Sequence, residues 1–130
     1  MANTGRIVWT ELATPDPGAA AAFYAAALGW TCKTIPSPMG QGEYHLYSNG
    51  DGEVAGMLAM EGPQWEGIPS HWLSYVSVPD VDAAVAKAVD AGGQVLAPAF
   101  DIPTIGRIAV LADPLGAALG LITPVPSTAD

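Results

Sequence analysis

The sequence predicts an α+β domain built from two tandem βαβββ units, and three observations predict it. The second half repeats the first at one constant offset: Pro15-Asp16 returns as Pro79-Asp80, and Ala19, Ala20 and Ala22 return as Ala83, Ala84 and Ala86. Gly29, Gly52 and Gly56 return as Gly93, Gly116 and Gly120, with no gap needed to hold the register. The identities fall where geometry is demanding, at helix starts, a helix stop, a hairpin turn and a mid-strand glycine. Finally, each copy reads as a strand, a helix and three more strands. A solenoid needs at least about three repeats to bury a continuous core. Two copies instead describe a duplicated supersecondary unit, with a cleft expected where they meet.

The elements follow in order. Arg6 to Thr14 is rich in β-formers (Ile7, Val8, Trp9, Thr10, Leu12) and predicts a strand. Asp16 is placed to cap a helix whose first position is Pro17, where the missing N–H costs nothing. Ala20, Phe23, Tyr24, Ala27 and Leu28 supply its apolar stripe, and Gly29 stops it. Trp30 to Ile35 reads as a second strand, followed by a loop holding Pro36, Pro38, Met39, Gly40 and Gly42. Glu43–Ser48 and Glu53–Met60 pair as a hairpin around Asn49-Gly50-Asp51-Gly52. The second copy repeats the plan: strand Trp72–Val78, a helix from Val81 to Ala91 capped by Asp80, then strands at Gln94–Ala97, Gly106–Ala112 and Ala117–Thr123. These boundaries give one domain over residues 1–130, with a first unit at about 6–61, a linker at 62–70 and a second unit at about 71–123. The tail after Thr123 is expected to be loose.

Composition narrows the function. Half of the 130 residues are hydrophobic and 13% are charged, the balance of a globular chain. The net charge of −9, with only Arg6, Lys33, Lys87 and Arg107 as cations and none clustered, argues against nucleic acid or an anionic membrane as partner. The single Cys32 forbids an intrachain disulfide and fits a reducing compartment; it is expected to be a buried, inert thiol. The first residues show no apolar signal region, so a cytoplasmic protein is expected. No phosphate-binding glycine loop, dinucleotide fingerprint or nucleophile elbow is present.

A paired βαβββ chain of this length resembles the vicinal oxygen chelate superfamily of glyoxalases, bleomycin-resistance proteins and extradiol dioxygenases. The residues that carry the resemblance are Thr14-Pro15-Asp16, Ala22-Phe23-Tyr24 and Leu28-Gly29-Trp30 in the first copy. In the second they are Val78-Pro79-Asp80-Val81-Asp82-Ala83-Ala84, Ala91-Gly92-Gly93 and Asp113-Pro114-Leu115-Gly116. The span Trp9 to Asp16 and the pair Gly106-Arg107 resemble a glyoxalase-like branch. The resemblance covers nearly the whole chain and implies strands curled into a half-open barrel around a cleft. It also implies four metal-ligand positions, which fall on Trp9, Gly56, Leu73 and Gly120. None of these carries a His nitrogen, Cys thiolate or carboxylate. The expectation is therefore a kept scaffold with no metal and no other cofactor.

The residues at those positions still read as a site. Glycine inside a strand is costly and marks close approach, so Gly56 and Gly120 are expected to open matching space. Strand alternation adds Glu11 beside Trp9, and Tyr75 beside Leu73. With Leu58 and Arg107, the candidate ligand-binding set is Trp9, Glu11, Gly56, Leu58, Leu73, Tyr75, Arg107 and Gly120. Glu11 is the candidate catalytic base, although a structural pair with Arg107 or a tyrosine hydroxyl is the commoner fate of such a carboxylate. Glu43, His45 and Tyr47 share a strand face, which leaves a displaced metal site at Glu43 and His45 conceivable; His71 reads as an edge or loop residue. The expected function is metal-independent binding of a small apolar or aromatic compound, as in antibiotic sequestration, by a homodimer. The alternative is an enzyme of the same superfamily, a lyase, isomerase or hydroxylase-like protein using Glu11 or a displaced metal.

Overall fold

In a computed structural model, which describes residues 3–37, 42–102 and 105–125, each copy folds as a strand, a helix and three strands. The first copy comprises β1 (Ile7–Thr14), α1 (Pro17–Leu28), β2 (Thr31–Pro36), β3 (Glu43–Ser48) and β4 (Glu53–Ala59). A 3-10 turn at Pro63–Trp65 follows, and the second copy comprises β5 (His71–Ser77), α2 (Val81–Asp90), β6 (Gln94–Ile102), β7 (Gly106–Ala112) and β8 (Ala118–Pro124). The class is α+β, as the repeat predicts. Both helices begin where the aspartates put them. Asp16 Oδ1 accepts the Ala19 N–H at 3.0 Å, and Asp80 Oδ1 accepts the Ala83 N–H at 3.1 Å; each satisfies a backbone donor left over by the first turn. Gly29 ends α1 in the left-handed region, its N–H returning to the Ala25 carbonyl.

The chain folds as two compact units, one of Trp9–Leu73 and one of residues 1–8 with 74–130. In the first, the strands run in the order β2-β3-β4-β1. The β1–β4 pairing is parallel and sets Glu11 opposite Gly56. Helix α1 covers one face, over a core of Leu12, Tyr47, Ala55 and Met57 with Ala20, Ala21, Tyr24 and Trp30 packed against it. In the second, the order is β5-β8-β7-β6, with β5 and β8 parallel and Tyr75 opposite Gly120. Its core is Val81, Ala109, Leu111 and Leu121, packed by Val76, Ala84, Val85 and Ala88. Six positions of the two cores are the same positions of the repeat. Leu12, Ala20, Ala21, Tyr24, Tyr47 and Met57 occupy the places taken in the second copy by Val76, Ala84, Val85, Ala88, Leu111 and Leu121.

Several sequence expectations are corrected. The buried stripe of α1 is Ala20, Ala21 and Tyr24, while Phe23 and Leu28 are 61% and 55% exposed. A helix with no charged residue offers no polar face to set its rotation, so several apolar stripes fit its sequence equally well. Packing of Tyr24 against Trp30 and Tyr47 decides among them. Strand β6 does not stop before Pro98 but runs on to Ile102. It is the outermost strand in its row, and its pairing with β7 shifts register between Val95 and Phe100, the setting in which proline is tolerated in a strand. Cys32 is exposed, because β2 ends its own row and little covers it. Partial desolvation still pushes its thiol above the ordinary pKa. Met39 and the tail beyond Val125 lie outside the described residues.

Candidate functional site

Strand alternation sorts the first unit into two faces. Leu12 packs beneath α1, so its neighbours Glu11 and Ala13, together with Trp9, point to the opposite side. On β3, Tyr47 is fully buried beneath α1, which turns Tyr44 and Leu46 away from the helix. Tyr44 is thereby brought beside Glu11. The Tyr44 hydroxyl donates to Glu11 Oε2 at 2.7 Å, and Trp9 Nε1–H donates to the Tyr44 hydroxyl at 3.3 Å. All three side chains are half-buried. The tyrosine–carboxylate contact is of the short, charge-assisted kind, and it meets the requirement that a partly desolvated carboxylate be hydrogen-bonded.

Gly56 makes this arrangement possible. A Cβ on Gly56 would occupy the position of the Tyr44 hydroxyl and come within 3.1 Å of Trp9 Nε1. Gly120 plays the same part in the second unit, where the Tyr75 ring lies in the place of the absent Cβ. The space left by the duplicated glycines is therefore not open, as the sequence led us to expect. Tyrosine rings fill it in both units.

The remaining candidates are placed as follows. Glu11 takes the tyrosine partner and not Arg107. The Arg107 guanidinium lies in the second unit, where it donates to both carboxylate oxygens of Asp82 on α2 at 2.9 and 3.1 Å and to Asp101 Oδ1 on β6 at 3.2 Å. Its hydrogen bonds hold the Asp82 carboxyl below its ordinary pKa, and the two aspartates raise that of Arg107. Leu58 is half-buried on β4 opposite Ala13. The Leu73 carbonyl accepts the Thr10 hydroxyl at 3.3 Å. His45 Nδ1 lies 2.9 Å from Thr34 Oγ1. His71 Nδ1 lies 2.9 Å from the Pro69 carbonyl, which can only accept. Among the described residues, no three His, Cys, Asp or Glu come together as a metal-holding group. The side chains at the four inferred ligand positions likewise offer no suitable donor atom, so those positions do not fit the superfamily's metal.

Sequence reasoning missed Tyr44. The signal was available, because Tyr44 and Tyr47 are three apart on one strand and must face opposite ways. Following Glu43, His45 and Tyr47 along their shared face led to the helix side, where Tyr47 is sealed in the core.

The profile of the Glyoxalase/Bleomycin resistance protein/Dioxygenase superfamily matches residues 6–121. The chain belongs to this superfamily. CFP32 of Mycobacterium tuberculosis, a protein carrying a glyoxylase name, is 45% identical over 124 residues, covering 95% of this chain and 46% of that protein. The anthracycline biosynthesis protein DnrV of Streptomyces peucetius is 33% identical over 129 residues, covering 90% of this chain and 46% of its own length. The chain thus spans about half the length of the curated relatives it matches. Among solved structures, methylmalonyl-CoA epimerase of M. tuberculosis superimposes with a TM-score of 0.67 at 17% identity, over 96% of this chain and 91% of the other. The epimerase of Streptomyces coelicolor gives 0.64 at 22%, over 95% and 99%. At these identities the likeness establishes the vicinal oxygen chelate fold and nothing finer.

Proposed function

We propose that this superfamily member is a metal-independent small-molecule-binding protein for an apolar or aromatic compound, with its site on the helix-free face of the first unit. The observation that carries the reading is the Trp9–Tyr44–Glu11 chain over Gly56. Two aromatic rings supply flat apolar surface for stacking, and an oriented carboxylate supplies an acceptor for a ligand O–H or N–H. Few polar groups on an apolar lining is the usual character of a small-molecule site. Sequestration of a toxic aromatic compound is the role this suits, and the single cysteine favours a cytoplasmic setting. No described helix is long and apolar enough to cross a membrane.

The test is a titration with Nile red, a neutral apolar fluorophore. Saturable binding is expected; Trp9→Ala should weaken it about tenfold or more by deleting a stacking surface, and Glu11→Gln only a few-fold. Binding unchanged in Trp9→Ala would overturn the placement of the site. One tightly held transition-metal ion per chain in elemental analysis would overturn metal independence.

A second reading draws on the same bond from Tyr44 to Glu11. A carboxylate fixed in one orientation is also what a general base requires, and both the epimerases and an anthracycline biosynthesis protein are similar to this chain. Conversion of a bound compound that falls by about 10²–10⁴-fold in Glu11→Gln, with binding retained, would make the enzyme reading the correct one.

We further propose a homodimer that pairs through α1. Residues 17–28 include no charged side chain, and Phe23 and Leu28 stand exposed on this helix. On a chain of net charge −9, an uncharged face is where two copies meet with the least like-charge repulsion, and a two-fold interface sets the same patch against itself.

A further inference from the structure

After β4 the chain makes a loop that the site above does not use. Met60 N–H is tied to the Thr14 carbonyl at 2.8 Å, and the loop then closes on itself through Trp65 N–H to Gly62, Glu66 N–H to Pro63 and Ile68 N–H to Trp65, at 3.0–3.2 Å. The Trp65 ring rests against His71, with centroids 6.3 Å apart. Where this loop passes the end of β1 it leaves an open pocket of about 320 Å³, large enough for a compact organic molecule. Pro15, Met60, Trp65, Ile68 and Pro69 are its apolar lining residues, and Glu66 is the charged residue of the lining. Neither Trp9, Glu11 nor Tyr44 lines it.

Its chemistry points to one kind of occupant. None of the four basic residues borders the pocket, and two of them are engaged elsewhere, Lys33 with Glu53 and Arg107 with Asp82 and Asp101. The carboxylate on its rim therefore has no cationic partner within the lining. Trp65 and Glu66 both line the pocket, and an indole and a carboxylate each attract an organic cation, the one through the ring quadrupole and the other through its charge. The surrounding proline, methionine and isoleucine surfaces accept an apolar body, with methionine able to adapt to its shape. The overall charge of −9 raises the local concentration of cations and opposes anions.

We propose that this loop pocket is a second ligand site in the first unit, selective for a planar organic cation with an aromatic body. The probe is 9-aminoacridine, a planar cation at neutral pH, titrated beside 9-anthracenemethanol and anthracene-9-carboxylate as neutral and anionic counterparts. The cation should bind in preference to the neutral compound and the anion least, with a preference that shrinks as salt is added. Trp65→Ala should weaken cation binding about tenfold. Glu66→Gln, a change at an exposed side chain that leaves the loop hydrogen bonds intact, should remove the preference for charge while keeping residual aromatic binding. Trp65→Ala should weaken 9-aminoacridine binding by the same factor in a Trp9→Ala background, which separates this pocket from the Trp9–Tyr44–Glu11 face. Equal binding of the three compounds, no binding of the cation, or loss in Trp9→Ala but not in Trp65→Ala would each overturn the proposal.

Discussion

The hydroxyl of Tyr44 stands where the side chain of any other residue at position 56 would have to begin. Glycine is required there by a close approach and not by its own torsion angles, so the cost of replacing it is steric. Gly56→Ala should force the Tyr44 ring aside and break its bond to Glu11, an overpacking change of about 1–3 kcal/mol. Gly52→Ala, in the β3–β4 hairpin turn with nothing within 4 Å of the added Cβ, should fall within about 0.5 kcal/mol of wild type. The decisive comparison is the double variant. Tyr44→Ala removes the obstructing ring, so Gly56→Ala in that background should cost much less than it does alone, and chemical denaturation of the four proteins completes the cycle. Strict additivity would show that Tyr44 does not occupy the Gly56 notch.

At the scale of elements, the caps, the hairpin and the strand identities were legible, because each rests on local chemistry. Asp16, Asp80 and Gly29 act through neighbours only a few residues away, and sequence states those directly. The rotation of α1 was not legible, since its uncharged sequence is compatible with several faces until Tyr24 meets Trp30 and Tyr47. The candidate site was half legible for a related reason. Trp9 followed from the ligand position that the resemblance implies and Glu11 from alternation along β1, whereas Tyr44 required knowing which side of β3 lies under the helix. That same burial makes a testable statement about Tyr47. Desolvation, with smaller contributions from Cys32 and Tyr24, pushes its phenol from 10.0 up to about 12, and its hydroxyl donates to Met57 Sδ at 3.2 Å. The folded protein thus holds this proton more tightly than the unfolded chain. Its contribution to stability is fully present below about pH 10 and is lost as pH rises from 10 towards 12. Ultraviolet titration of the phenolates should show a late step from Tyr47, and Tyr47→Phe should remove that step. A Tyr47→Phe protein whose alkaline titration matches wild type would refute the assignment.

For the whole molecule, the duplication was the most legible feature, because one constant offset maps most of the first core onto the second, with Trp30, Val81 and Ala109 as exceptions. The surfaces of the two helices do not repeat. Helix α2 carries Asp82 in its first turn and Lys87 in its last, and Asp82 is engaged by Arg107. Helix α1 carries no charge at all and leaves Phe23 and Leu28 mostly in water. Core packing gives no reason for this asymmetry, since the stripe that meets the sheet is equivalent in both units. A role at a subunit interface does. Light scattering at low micromolar concentration should therefore give twice the 13.3 kDa chain mass. Phe23→Glu should shift the protein to monomer, because pairing two copies through a two-fold interface would bury two like charges against each other. As Phe23 is 61% exposed within one chain, the same change should leave the far-ultraviolet circular dichroism unaltered, so loss of pairing and loss of folding are read separately. A wild-type monomer, or a Phe23→Glu protein that still pairs, would exclude α1 as the interface.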